Sequence, residues 1–441
     1  MIDAAPSDAI ILGSRLLKMR ATNDKGKFSH LRRTMIAQTD SAERNTKHRP
    51  ARGRIIIFRI LAVVFGITVG LVAAEVGLRI VEKIRMGDRA GGETTSDPEL
   101  GVRILPNTPG HDANGFRNAS VPAHVDVVGL GDSQTWGVNV QSADAWPQQL
   151  AKLSQHSVYN MSVGGYGPVQ YWRLTEKAFN FSPKVIIVGL YFGNDLYDAY
   201  SLTYTNDRYA NLRSNPPSDE LRHDTILSKS QSYWDEEKNF HNTYGRSSPS
   251  GWSFWVREHS AVGRLLNRTG FWPGTTDVDY EIDRQWATTY PAHGAVCDDD
   301  KLRTVFTTAY RLTALDLDDP RIAEGLRISK VALSRTQERV DAHGVKLLVL
   351  LIPTKESVYA DLMQREGRST GTFSRLVEME NRAREEVKSW CTEKHIACVD
   401  ALPELRNAIA QRQQIYPSTT ESHPNAAGYA VLAATVAKAL Q

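Results

Sequence analysis

Three stretches of this chain, VDVVGL (125–130), KVIIVGLYF (184–192) and VKLLVLLIP (345–353), are nearly unbroken runs of Val, Ile and Leu. A strand with one wet face alternates apolar and polar residues. A strand without that alternation is covered on both sides, which is the condition of a parallel sheet between two layers of helix. The intervening segments have the length and amphipathic spacing of helices, around 145–153, 168–179, 325–343, 375–390 and 424–440. Two shorter strands, SVYNMS (157–162) and IACVDA (396–401), complete the alternation, and Gly344 stands where a glycine ends a helix. Such an order predicts an α/β domain.

The alternation lapses between Tyr200 and Arg321, where long apolar runs are few and aromatics many, among them Trp234, Trp252, Trp255, Trp272 and Trp286. This stretch, about 201–322, is expected to be an insertion, its tryptophans core residues or a ligand platform. Before the first strand, PELGVRILPNTPGHDANGFRN (98–118) has the Pro, Gly and Asn content of a linker and approach loop. No internal repeat is visible.

Upstream lies a second constraint. Residues 55–74 carry one charge, Arg59, and twenty helical residues at ~1.5 Å each span roughly the 30 Å hydrocarbon layer. A buried core helix seldom lacks a polar face for that length, and Arg59 lies near enough to the start to reach the head groups. Cleavable leaders begin closer to the N-terminus and end in a small-x-small site. Residues 1–54 hold 12 Lys/Arg against 5 Asp/Glu, net +7, which leaves −4 of the total +3 for the remainder. The expected organisation is a disordered basic cytoplasmic tail (1–54), within which Met35 is an alternative start, a transmembrane anchor (55–80) and a body (87–441) outside the cytoplasm. The body has no nucleic-acid footprint. Cys391 and Cys398 are placed to bridge a helix end to the next strand in an oxidising compartment, Cys297 being left odd; the sequence leaves that pairing open.

In an open parallel sheet, ligands bind beyond the carboxyl ends of the strands. The polar motifs fall there: Gly131-Asp132-Ser133, NMSVGGYG (160–167), Gly193-Asn194-Asp195, and ESHPN (421–425) before the last helix. A hydroxyl is a weak nucleophile at neutral pH, so Ser133 requires a base, and His423 has an unperturbed pKa in the useful range. Attack on a carbonyl also requires donors for the oxyanion. Taken singly, Ser133 is a turn residue, His423 a helix-end residue, and Asp132, Asp195 and Asp198 structural carboxylates.

Together these blocks resemble the SGNH (GDSL-type) hydrolase superfamily: Gly131, Asp132, Ser133 and Thr135; Asn160 to Gly165; Gly193, Asn194 and Asp195; and His423, over about 125–200 and 325–441. The resemblance implies a flavodoxin-like three-layer sandwich with a mainly parallel sheet, preceded here by one transmembrane helix. It assigns Ser133 as nucleophile, His423 as base, the Ser133 and Gly165 N–H groups and the Asn194 amide as oxyanion donors, and Asp132 and Asp195 as supports. Glycine at 165 would let backbone approach closely. The departure is the third triad member, since the superfamily's aspartate three residues before the base is replaced by Thr420 and the carboxylate is Glu421. That spacing is similar to the alginate O-acetylation branch, as are EVGLR after the apolar run and the Pro-x-Lys-x-x-x-Tyr of IPTKESVY (352–359), which makes Lys355 a weak candidate for the cleft. With Pro424 opening the last helix, its dipole would disfavour imidazolium by roughly 0.3–1 kcal/mol. A charged hydrogen bond from Glu421, about 1.5–3 kcal/mol, would outweigh that.

The implied activity is acyl-ester hydrolysis or O-acyl transfer, the expected group being acetyl on an envelope or exported polysaccharide, at a bacterial inner membrane with the catalytic domain periplasmic. A membrane partner supplying acyl groups fits transfer. No metal or other cofactor is expected. Two alternatives stand: a non-catalytic carbohydrate-binding or assembly protein on the same frame, and a lipid esterase or thioesterase with an apolar groove near Gly165.

Overall fold

The computed structural model describes residues 52–89, 92–244, 260–262 and 278–441. The basic tail to residue 51 with Met35, and Trp252, Trp255 and Trp272, lie outside the described residues. The chain divides into two units, Met1–Leu71 and Val72–Gln441. What is described of the first is the opening of helix Arg52–Arg89. Within this helix Ile56–Ile80, 25 residues of mean hydropathy 2.5, is long and apolar enough to cross a membrane. Its large apolar side chains from Ile56 to Ile80, Leu78 apart, are exposed.

The second unit is built on five parallel strands: β3 (Val127–Gly131), β4 (Val158–Asn160), β5 (Val185–Tyr191), β8 (Lys346–Ile352) and β9 (Ala397–Asp400). Their order is β4-β3-β5-β8-β9, the flavodoxin-like 2-1-3-4-5 arrangement, whose direction of winding reverses between β3 and β5. Alternate residues of each central strand enter different cores. Val128, Leu130, Ile186, Val188, Val349 and Leu351 pack on one face with Tyr171 and Leu174 of helix Pro168–Ala178, Leu326 and Leu333 of helix Pro320–Ala342, and Leu376 and Val387 of helix Gly371–Glu393. Val127, Ile187, Leu348, Leu350 and Ile352 pack on the other with Trp146 and Leu150 of helix Trp146–Ser154 and Tyr429 and Leu432 of helix Ala426–Ala439. Both faces being dry, these strands appear in the sequence as continuous apolar runs. Each buried Val, Leu or Ile contributes about 1.5–3 kcal/mol.

Three sequence expectations need correction. The 98–118 segment is no loose linker: β2 (Gly101–Ile104) pairs antiparallel with β1 (Thr94–Asp97), and His111, Asp112 and Arg117 are buried. Pro424 does not open the last helix, because Asn425 is its N-cap, accepting from Ala427 and Gly428 N–H; His423 therefore lies farther from the helix dipole than the sequence suggested. Helices Lys355–Arg365 and Leu402–Ala410 were not foreseen. Gly344, with φ +67°, follows the end of helix Pro320–Ala342 as expected. Cys391 and Cys398 are free thiols, side by side without a disulfide.

Among the described residues, the segment between helices Asp195–Thr205 and Pro320–Ala342 adds no strand to the main sheet. It holds helices Ile226–Tyr244, Val278–Thr289 and Thr308–Thr313 and an antiparallel hairpin, β6 (Ala295–Asp298) with β7 (Arg303–Phe306). Trp286 is buried in its small core, whereas Trp234 is 52% exposed.

One close approach fixes the spacing of two helices. A Cβ at Gly325 would lie 1.9 Å from the Leu196 carbonyl oxygen, so helices Pro320–Ala342 and Asp195–Thr205 meet backbone against backbone. The obstacle is main chain and cannot rotate away. Gly325→Ala should therefore destabilise by about 1–3 kcal/mol through overpacking, despite alanine's advantage of about 1 kcal/mol in an isolated helix. Urea unfolding of the two proteins checks this, and a more stable variant would contradict the packing described.

Candidate active site

Ser133 opens the short helix Ser133–Trp136 directly after β3. Its own N–H is thus one of the first-turn donors that have no acceptor within a helix. Asp132 caps this helix, its Oδ1 accepting from Gln134 N–H at 2.9 Å. Arg117, from the segment before β3, clamps the helix from outside: it donates to the carbonyls of Trp136 (3.1 Å), Gly137 (2.6 Å) and Val140 (2.7 Å) and lies 4.0 Å from the Trp136 ring centroid. Asn160, at the end of β4, donates through Nδ2 to the Thr135 carbonyl at 3.0 Å. Its place in the second motif is to tie that loop to the serine's helix.

Gly165 occupies a turn closed by Tyr166 N–H to the Val163 carbonyl (3.2 Å) and has φ +79°. A Cβ there would meet nothing within 4 Å. The left-handed backbone is itself a reason for glycine at this position. The residue that lies against Ser133 is Gly164, where a Cβ would stand 3.7 Å from the serine Cβ.

Beyond β5, Asn194 lines the same cleft as Ser133, Gly165 and His423, a space of about 470 Å³. Its Nδ2 donates to Asp198 Oδ2. Asp195 is fully buried and holds the turn, accepting from Tyr191 N–H at 2.9 Å and from the Tyr171 hydroxyl at 3.0 Å. Burial raises Asp132, Asp195 and Asp198 above the usual carboxylate range, and the nearby Asp132 charge raises Asp195 and Asp198 further.

The fourth loop carries the imidazole. His423 Nε2 is 2.8 Å from Ser133 Oγ, and Nδ1 is 2.5 Å from Glu421 Oε1, which also accepts the His423 backbone N–H at 3.0 Å. Burial works against the Glu421 charge, but the hydrogen bonds and charge of His423 hold its carboxyl down at about 2. Because an ionised carboxylate only accepts, Nδ1 of the neutral ring carries the hydrogen and Nε2 is left to accept from the serine hydroxyl. Asp132 Oδ2, at 3.3 Å, is a second acceptor for that hydroxyl. The arrangement can take a proton from Ser133 and stabilise the imidazolium that results.

Lys355 is not among the residues lining the cleft. It is buried behind the fourth loop, where Nζ lies at hydrogen-bond distance from the carbonyls of Val305 (2.7 Å), Thr419 (3.0 Å) and Glu421 (3.0 Å) and from Thr304 Oγ1 (3.1 Å). Burial lowers its pKa to about 8. Thr420, in the position of the superfamily aspartate, donates its N–H to Asp283 at 2.7 Å.

Sequence reasoning missed Arg311. This buried residue donates from Nη1 to the Gly193 carbonyl (3.0 Å) and from Nη2 to Ser422 Oγ (2.7 Å), so that one guanidinium joins the third and fourth loops. The available signal was its isolation, since it is the one charge in 304–315. Farther out, Glu237, His241 and Asp283 bring donor atoms within 4.8 Å of one another. His241 pairs with Asp283, which the interval of about forty residues hid from a search by spacing.

Residues 306–441 match the family model described as SGNH hydrolase-like domain, acetyltransferase AlgX. The matched stretch includes Arg311, Lys355, Glu421 and His423; Ser133 and Asn194 precede it. Similar solved structures include a protein assigned to the lipolytic G-D-S-L family from Desulfitobacterium hafniense, with 13% identity over 71% of this chain and 98% of that one and a TM-score of 0.33. Others are a member of the same family from Veillonella parvula (12% identity, 71% and 96% covered, TM-score 0.29) and LAE5, an alpha/beta hydrolase from the metagenome of Lake Arreo, Spain (11%, 72% and 96%, TM-score 0.28). No curated protein matches the chain in sequence.

The buried carboxylates make a pH prediction. Asp198 is pushed up from 3.8 to about 8, chiefly by burial. The folded state therefore holds a proton that the unfolded state releases at lower pH, and this contribution to stability is complete below about pH 4 and is lost as pH rises through about 8. Asp198→Asn cannot titrate there. Its Tm relative to the parent should be higher at pH 8.5 than at pH 5; an unchanged difference would contradict the raised titration.

Proposed function

We propose that this chain, whose residues 306–441 match the model of the SGNH hydrolase-like domain of acetyltransferase AlgX, is a serine-nucleophile acyl-ester hydrolase or O-acyltransferase acting on acetyl groups of an envelope or exported polysaccharide. The observation that carries the reading is the position of one imidazole, 2.8 Å from Ser133 Oγ and 2.5 Å from the Glu421 carboxylate. In this mechanism Ser133 Oγ attacks the ester carbonyl while its proton passes to His423 Nε2. Glu421 stabilises the imidazolium, and the Ser133 and Gly165 N–H groups and the Asn194 amide hold the oxyanion. Collapse of the tetrahedral intermediate breaks the carbonyl–oxygen bond of the ester. The departing alkoxide takes the proton from His423, leaving Ser133 acylated. Water or a sugar hydroxyl, deprotonated by the same imidazole, then releases the acyl group.

The apolar segment Ile56–Ile80 supports a membrane anchor. The excess of basic residues before it favours a cytoplasmic N-terminus and a domain outside the bacterial inner membrane, where a membrane partner would supply acyl groups for transfer. The contact of Glu421 with His423 favours this reading over a non-catalytic frame. A cleft lined by Asn194, Ser230, Gln231 and Arg311 as well as aromatics favours sugars over a long acyl chain.

With 4-nitrophenyl acetate as substrate, Ser133→Ala should abolish turnover. Asn194→Ala should lower kcat by about 10²–10³, the usual effect of losing an oxyanion donor. Full turnover by Ser133→Ala would remove the assignment. A rise in product release on adding oligosaccharide, with acetyl recovered on the sugar, would identify transfer.

A further inference from the structure

Helix Ile226–Tyr244 of the insertion forms one wall of the cleft that contains Ser133. The residues it contributes include Leu227, Ser230, Gln231 and Trp234, spaced i, i+3, i+4 and i+7 and therefore on one face. That face is not core: Leu227 is 60% and Trp234 52% exposed. The same helix sends Phe240 into the small core of the insertion and Glu236 to His293 at 2.9 Å. Its other contacts thus hold the exposed face in place. Tyr310, next to Arg311, also lines the cleft, its ring centroid 6.2 Å from that of Trp234 with the planes at 47°.

We infer that Trp234 and Tyr310, with Ser230 and Gln231, form a sugar-binding subsite that receives a pyranose ring of the acyl-bearing or acyl-accepting saccharide. This inference rests on the proposed ester chemistry at Ser133 and names the part of the substrate that lies beyond the ester. An ester seated at Ser133 must direct the rest of its molecule along the cleft walls, and this wall is accessible. The chemistry of the wall suits a carbohydrate. A pyranose offers an apolar C–H face, which an exposed indole or phenol ring covers without losing a hydrogen bond, and a rim of hydroxyls that need donors and acceptors. Ser230 Oγ donates to the Leu227 carbonyl (3.0 Å) and Gln231 Nε2 to Asp235 (2.9 Å), which leaves the hydroxyl and amide oxygens as acceptors and the second Gln231 amide hydrogen as a donor, one helical turn from the indole. An alkyl chain would gain from a continuous apolar wall, and here two polar side chains separate Leu227 from Trp234.

The test uses the full-length protein in detergent with 4-nitrophenyl acetate, 4-nitrophenyl octanoate and a panel of O-acetylated xylopentaose, mannopentaose and cellopentaose. At least one acetylated pentaose should be a substrate. Trp234→Ala should lower kcat/KM for it at least tenfold more than for 4-nitrophenyl acetate, mainly through KM, and Trp234→Phe should recover it to within threefold. Calorimetric titration of Ser133→Ala with the same pentaose should show binding that the added Trp234→Ala change weakens at least tenfold. Equal losses on pentaose and 4-nitrophenyl acetate, or none on the pentaose, would overturn the subsite. So would selective loss on the octanoate, or a panel without any substrate while 4-nitrophenyl acetate is hydrolysed. Failure of the ester chemistry has a different mark, namely 4-nitrophenyl acetate turnover that survives Ser133→Ala.

Discussion

The imidazole at the centre of the site sits on a stretch with no regular structure of its own. Between helices Leu402–Ala410 and Ala426–Ala439 the chain forms neither helix nor strand, so no ladder satisfies its backbone or fixes its path. Two buried cations do much of that work. Lys355 takes the carbonyls of Thr419 and Glu421, and Arg311 takes the hydroxyl of Ser422. Side chains complete the support, with Asn425 Nδ2 on the Gln414 carbonyl at 2.7 Å and Asp283 on Thr420 N–H. A buried ammonium is costly when unpaired, yet it meets several carbonyl dipoles at once and compensates a loop that would otherwise bury unpaired carbonyls. The 290-residue separation of Ser133 from His423 is bridged through this polar frame as well as through the sheet.

On the other side of the cleft stand three buried carboxyls that burial holds toward their neutral form. Asp132, Asp195 and Asp198 are buried together, and Asp132 raises the other two. All three also serve the geometry. Asp132 caps the helix that begins at Ser133, Asp195 closes the turn after β5, and Asp198 holds the Asn194 amide. Arg311 lies between this group and the fourth loop, and its charge opposes that of Asp198 while drawing on Glu421. The electrostatics of the site are therefore shared between the two halves of the chain.

What could be inferred from sequence follows from how local each signal is. Strands β3, β5 and β8 announced themselves because burial on both faces removes alternation, and loops at their ends were visible through Gly-Asp-Ser, Gly-Gly-Tyr-Gly and Gly-Asn-Asp. Arg117, Arg311 and Lys355 were harder. Each acts on backbone carbonyls distant in sequence, and no spacing rule marks a carbonyl acceptor. The error over 98–118 has a similar cause: Pro, Gly and Asn mark bends, and a bent chain can still bury Arg117 against Trp136. Misplacing Pro424 by two positions came from preferring a proline start over an Asn425 cap, when the proline stands just outside the cap.

The hairpin β6–β7 and the short helix after it belong to the inserted segment, yet they provide Val305 as a partner of Lys355 and Arg311 as the clasp between two loops. The same segment presents Trp234 to solvent. Variation within it is therefore of two kinds. Changes along the outward face of helix Ile226–Tyr244 can retune recognition at little structural expense, whereas wholesale exchange of the segment would also remove the struts of the imidazole loop. A graft from another protein would have to bring its own guanidinium to the same two acceptors, so the segment is separable for selectivity and inseparable for chemistry.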